Sequence, residues 1–272
     1  MSLPNPGTSP LPLWFERLRL HLPTVPEAFA SLLSLVVVAL FLQTFVLQPY
    51  LIPSESMERT LLVGDFLLVN KQAYAPSSRL TRWLMPYRAV ARGDIIVFHH
   101  PQPSLLVKRV VGLPGDRLRI KDGRVTVNGI AQDEPYAAFE PAAFNAFSND
   151  FPARDNTDPE VDPAWWKQMQ NLVRDGDLVV PPGEYFVLGD NRNHSKDSRY
   201  WGFVQREQIV ARPLVIYFSV FRPSSTDVQQ AVLQASMQTS TQAADDRLGH
   251  DRQLTAKLHD FARWKRIFQV VH

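Results

Sequence analysis

A serine hydroxyl attacks a carbonyl only after a base has taken its proton, and Ser56 and Lys108 are of the types that could do this together. Ser56 stands in Pro53-Ser54-Glu55-Ser56-Met57, just beyond a long uncharged apolar run. Lys108 follows about fifty residues later, inside Leu105-Leu106-Val107-Lys108-Arg109-Val110-Val111. A free lysine has a pKa near 10.4 and is no base at neutral pH; burial must disfavour its charged form. Lowering that value by about three units costs roughly 4 kcal/mol, so the site has to be dry and rigid. Strand alternation sends the Lys108 side chain to the face opposite Val107 and Arg109. Taken singly, each residue is commonplace: a lysine in a strand is usually solvated, and Ser-x-Ser after a proline is usually a loop.

Other chemistries fit less well. His99-His100 precede a proline at a strand end and His194 lies among loop-forming residues, so no histidine has an evident orienting acid for a Ser/His/Asp triad. The run from Asp190 to Asp197 departs from a calcium loop, because Arg192 occupies the third ligand position and neither the glycine nor the closing glutamate follows. Arg92-Gly93-Asp94 is read as the turn that opens a strand. The chain has no cysteine, which excludes disulfides and thiolate chemistry, and its formal charge of +2 comes without a basic stripe, so nucleic acid is not an expected partner.

The residues that must be positioned lie behind one dominant element. From Ala28 to Leu47 twenty residues carry no charge; as a helix they would span roughly 30 Å, the hydrocarbon thickness of a bilayer. A cleaved leader would have a shorter apolar core and small residues at the cut, which Phe45-Val46-Leu47-Gln48-Pro49-Tyr50 does not offer. A transmembrane anchor is therefore expected at 28–48. Arg17, Arg19 and His21 precede it and place the tail, 1–27, in the cytoplasm, with the rest of the chain exported.

Beyond the anchor, short β-branched runs alternate with turn signals. Strands are expected at Phe66–Asn70, Asp94–Phe98, Leu105–Val111, Leu178–Val180, Glu184–Leu188 and Leu214–Val220, with a hairpin turning at Asp122-Gly123. Residues 131–177 change texture and read as a cap-like insertion with one helix starting at Pro163. The catalytic β domain is then 49–130 and 178–222, followed by an extension, 223–272. In that extension Leu254, Leu258, Phe261 and Ala262 share a helical face ahead of the basic-aromatic Arg263–Phe268. Packing on the main domain and contact with a membrane surface both remain open for it.

Four blocks, in order and in register, resemble type I signal peptidase, the bacterial leader peptidase family of membrane-anchored Ser/Lys serine proteases. They are Ile52–Met57 with Thr60-Leu61 and Gly64-Asp65; Arg92–Phe98; Lys108–Asp116; and Gly189–Arg199. The likeness runs from the anchor to about Val220. It implies a mainly β fold: one N-terminal transmembrane helix, then an antiparallel β catalytic domain with a small β-rich insertion. It implies that Ser56 is the nucleophile, Lys108 its general base, and Ser54 an oxyanion donor beside the Ser56 backbone N–H. Ser195 would hold Lys108; Asp197 and Arg199 would form an ion pair that fixes the loop, with Asp190 supporting it; and Asp94 and Arg109 would be structural. The implied activity is endoproteolytic removal of signal peptides from exported preproteins at the bacterial cytoplasmic membrane, with small residues before the cut and no metal or organic cofactor. The bilayer and the secretion machinery would be partners. The rival from another class is a catalytically idle, membrane-tethered binding protein of the same fold. One departure stands out: the family usually has proline before the threonine of the first block, where this chain has Glu58-Arg59-Thr60.

Overall fold

The computed structural model describes residues 25–41, 43, 47–71, 73–74, 88–100, 105–140, 145–153, 155, 158–222 and 262–272. The chain divides into two compact units, Met1–Thr44 and Phe45–His272. In the first, helix α1 runs Val25–Phe41 and buries none of its side chains. Among the described residues no helix is long and apolar enough to cross a membrane. The expected anchor also reached too far: Leu47 and Gln48 belong to strand β1, where they pair with Asn70 and Val69. The rest of the 1–27 tail lies outside the described residues.

The second unit is built on an antiparallel eight-stranded sheet. Its strands are β1 (Leu47–Leu51), β2 (Asp65–Asn70), β3 (Ile95–His99), β4 (Leu105–Gly112), β10 (Glu184–Leu188), β11 (Val204–Gln205), β12 (Ile209–Ser219) and β13 (Gln269–Val270). They lie in the order β1-β2-β12-β3-β4-β10-β11, with β13 paired to β12. The central strands β3, β4 and β10 are buried on both faces and read as apolar runs, whereas β2 and much of β12 alternate between buried and half-buried positions. On β3, Ile95 and Val97 enter one apolar cluster while Ile96 and Phe98 enter another on the opposite face. Register places Lys108 opposite Ile96 and Arg109 opposite Ile95, so the two basic residues leave β4 on opposite faces.

A second sheet, in the order β7-β6-β5-β9-β8, is made by β5 (Arg117–Lys121), β6 (Arg124–Val127), β7 (Ile130–Ala131), β8 (Val173–Arg174) and β9 (Asp177–Val179). Asp122 and Gly123 both have positive φ, which closes the β5–β6 hairpin. Its strands come from both the expected catalytic segments and the expected insertion, because Val173 and Arg174 of β8 pair with β9, which in turn pairs with Arg117 and Leu118 of β5. What lies between is more helical than β-rich. It holds α2 (Ala146–Asn149) and α3 (Pro163–Gln170), the latter capped by Asp162, whose carboxylate accepts from the N–H groups of Ala164 and Trp165. Helix α4 (Ser198–Trp201) completes the described helices.

β12 begins five residues before the strand expected from the sequence. Pro213 hid its first half, since proline seldom sits inside a sheet; the strand accommodates it at a register shift between Pro213 and Val215.

Candidate active site

Ser56 lies in a single 3-10 turn, Glu55–Met57, between β1 and β2. Hydrophobic burial fixes that turn: Ile52, Met57 and Leu61 sink into the cluster beneath it, and Ile52 and Asp65 close the loop through an N–H···O bond of 2.9 Å. The turn therefore presents Ser56 from a buried base. Asn191 donates its N–H to the Ser56 carbonyl at 3.1 Å. Gly189 is required beside it, because a Cβ there would stand 2.4 Å from the same carbonyl and 2.2 Å from the Ser195 hydroxyl oxygen. The sequence contains Gly189 and Asn191 in its last block, but nothing local reveals that they touch the nucleophile.

Lys108 is 3 % exposed, and its Nζ donates to Ser195 Oγ at 3.1 Å. Burial lowers its pKa to about 8, against the attraction of Asp197, with the nearby Arg199 charge assisting. Ser56, Ser54 and Lys108 together line a cavity of about 30 Å³ whose other walls include Tyr50, Ile52, Met57, Leu105 and Val107. The same three residues line a larger groove of about 640 Å³ that continues past His194 and Lys196 to Glu160–Pro163. Ser54 is exposed, with its hydroxyl 3.4 Å from that of Ser56.

Asp197 and Arg199 form a buried bidentate pair, with Arg199 Nε on Oδ1 and Nη2 on Oδ2, both at 2.8 Å. Burial would raise the Asp197 pKa, but the Arg199 charge and hydrogen bond, the Lys108 charge and the Gly189 N–H outweigh it, and the carboxyl ends below its ordinary value. Arg199 also donates to the carbonyls of Arg192 and Ser148, so the pair holds the loop after β10.

Asp190 does something other than support that pair. It accepts two bonds from Arg109, at 2.9 and 2.8 Å, and one from the Thr60 hydroxyl at 2.6 Å. Arg109 in turn stacks over the Tyr136 ring at 3.8 Å. A segment at 134–138 adds further ties: Glu134 binds Arg192 and Ala138 bridges to Asn191.

The departure at Glu58-Arg59 has a conformational reason. Arg59 has φ +81°, which the proline ring, fixed near −65°, cannot adopt. Its guanidinium donates to the Ala137 carbonyl at 2.8 Å, tying the nucleophile loop to the 134–138 segment.

His194 lines the groove but not the small cavity, and His100 packs edge-on to Trp201. Among the described residues no three His, Asp or Glu side chains cluster so as to hold a metal ion.

The family model for signal peptidase, peptidase S26, matches residues 25–218. The chain belongs to that family. It is 35% identical over 204 residues to a probable signal peptidase I-2 of Synechocystis sp., covering 72% of this chain and 74% of that protein. It is 34% identical over 226 residues to signal peptidase I of Pseudomonas aeruginosa, covering 77% and 78%. A solved signal peptidase I from Enterococcus faecalis is 31% identical, covering 46% of this chain and 97% of that one, at a TM-score of 0.31.

Proposed function

We propose that this chain is a membrane-bound serine endopeptidase that removes signal peptides from exported preproteins. The observation that carries the reading is a buried amine beside the nucleophile: Lys108, its pKa lowered to about 8, shares one small cavity with Ser56. In this reading Lys108 takes the Ser56 proton as Oγ attacks the scissile carbonyl, then gives it to the departing amine. Water then releases the acyl group by the reverse sequence. Ser54 Oγ and the Ser56 N–H receive the developing oxyanion. Ser195 fixes the direction of the Lys108 amine, and the Asp197–Arg199 pair fixes the loop that carries Ser195.

Substrate preference follows from room and from sheet edges. The small cavity beside Ser56 is closely walled by Tyr50, Ile52, Met57, Leu105 and Val107, so it suits a small apolar group such as a methyl better than a large side chain. Alanine or another small residue before the cut fits it. β10 pairs with β4 from Arg109 onward, and among the described residues the Leu105–Lys108 stretch has its ladder partner on β3 alone. An extended peptide can add along that edge beside Ser56.

The anchor belongs to the same proposal. α1 exposes apolar side chains all round, from Phe29 through Leu32, Leu33 and Val36 to Phe41, and a helix of that kind needs an apolar environment. We place it in the cytoplasmic membrane, as a single pass, with the second unit on the exported side and the secretion machinery as a neighbour.

The test is cleavage of a purified preprotein carrying an Ala-x-Ala site by the full chain in detergent. Ser56→Ala should abolish product, and Lys108→Ala should cut the rate by about 10²–10⁴-fold. His194→Ala should keep it. Activity that survives Lys108→Ala but vanishes in His194→Ala would move the base to the histidine. A wild-type chain that binds the preprotein without cutting it would favour the binding-protein rival.

A further inference from the structure

We propose that Ala262–His272 is a positioning clamp that holds the nucleophile loop against the base strand; the inference rests on the Ser56–Lys108 reading above. The segment is laid along β12: Ala262 bridges to Val220, β13 pairs with Val215 and Ile216, and the Val271 N–H donates to the Leu214 carbonyl at 3.0 Å. From there it reaches both halves of the site.

Towards the nucleophile, Arg266 grips Asp65, which is fully buried, through Nε at 3.1 Å and Nη2 at 2.6 Å. The same Nη2 donates to the Thr60 carbonyl at 2.9 Å, and Arg263 donates to the Val63 carbonyl at 2.9 Å. Three points of the loop behind Ser56 are thus held by two guanidinium groups. Val271 is buried in the same apolar cluster as Ile52, Met57 and Leu61, which seat the turn that bears Ser56.

Towards the base, Arg109 Nη1 donates to the backbone oxygen of His272 at 3.1 Å. Arg109 is the neighbour of Lys108 on β4 and holds Asp190, which binds the Thr60 hydroxyl. The circuit closes: the segment holds Thr60 directly, and it holds Arg109, whose partner Asp190 holds Thr60 again. None of residues 262–272 lines the groove or the small cavity, so the segment acts on geometry and touches no reacting atom. A guanidinium fork can serve the carboxylate and a carbonyl at once, whereas one ammonium cannot reproduce that geometry.

The experiment compares the full chain with Arg266→Ala, Arg266→Lys and Val271→Ala in detergent. It reads kcat, KM, the thermal midpoint and amide hydrogen exchange over residues 56–65. The clamp predicts that Arg266→Ala lowers kcat by about 10- to 100-fold with KM changed by less than about threefold, since small misplacements at a site cost that much. Arg266→Lys should fall between it and wild type. Exchange should quicken over 56–65 and stay as it was over 117–127. A folded Arg266→Ala with wild-type kcat overturns the clamp, as does a loss of kcat equal to the loss of folded protein. Should Arg266→Ala fail to fold, Val271→Ala decides: a smaller fall in kcat supports the clamp, and an unchanged kcat overturns it. If the wild type cleaves nothing, the peptidase reading fails by itself. Exchange then judges the clamp alone, with unaltered rates over 56–65 in the variants overturning it.

Discussion

Lys108 makes chemistry and stability pull in opposite directions. Its folded pKa of about 8 lies below the 10.5 of a free lysine. Between those values the unfolded chain binds more protons, so this residue lets stability rise with pH through that window; below it both states are protonated and the burial penalty is felt in full. Lys108→Met should therefore raise the thermal midpoint, with the larger gain at pH 6 than at pH 9, while cutting the cleavage rate by about 10²–10⁴-fold as Lys108→Ala does. Equal midpoints for variant and wild type at pH 6 would contradict this. Arg59 is a second residue whose backbone, at φ +81°, constrains what may replace it. Arg59→Pro should destabilise by more than about 1 kcal/mol and lower activity, whereas Arg59→Gly should relieve the backbone and lose only the bond to Ala137. Denaturant titration with parallel rate measurements separates the two. Ser56, Lys108, Ser195 and the Asp197–Arg199 pair were legible in the sequence as motif members. The partner of Asp190 was not, because it lies 81 positions away and depends on a strand register that no local pattern records.

That register is the contribution of the elements. Leu188 pairs with Arg109 across β10 and β4, which puts the residues following β10 beside the end of Lys108's strand and under the nucleophile turn. Gly189 lets the two backbones approach, so Gly189→Ala should push Ser56 and Ser195 apart and lower kcat by about 10²-fold with the fold retained, measurable by cleavage and by circular dichroism together. Arg109→Ala should cost about 3–5 kcal/mol in an unfolding titration, because it strands the buried Asp190 carboxylate. Apolar runs gave β2, β3, β4 and β10 to within a residue or so, since β3, β4 and β10 are buried on both faces and announce themselves by composition. β13 was invisible: Gln269 and Val270 are two residues with no period, and their role comes from Arg263 and Arg266 just before them, which reach into another part of the chain.

At the scale of the molecule, one sheet supplies Lys108 and frames the turn that carries Ser56, and the groove beside them is walled by 159–163, at the start of α3, and by Tyr200 and Trp201 of α4. The change of texture near 131 was readable, yet the second sheet starts earlier, at Arg117, because a hairpin looks the same from its sequence whichever sheet it joins. An exposed apolar helix ahead of a compact unit predicts a division of labour. Residues 45–272 alone should still cut a soluble Ala-x-Ala peptide but sediment less with lipid vesicles than the full chain; equal sedimentation would remove α1 as the anchor. The pH dependence of kcat/KM bears hardest on the chemistry, because it reports the base of the free enzyme. With Lys108 as that base, kcat/KM should climb about tenfold per pH unit at low pH and level off near pH 8. A plateau reached near pH 6.5, where an ordinary histidine titrates, and left unmoved by changes at Lys108 would contradict it.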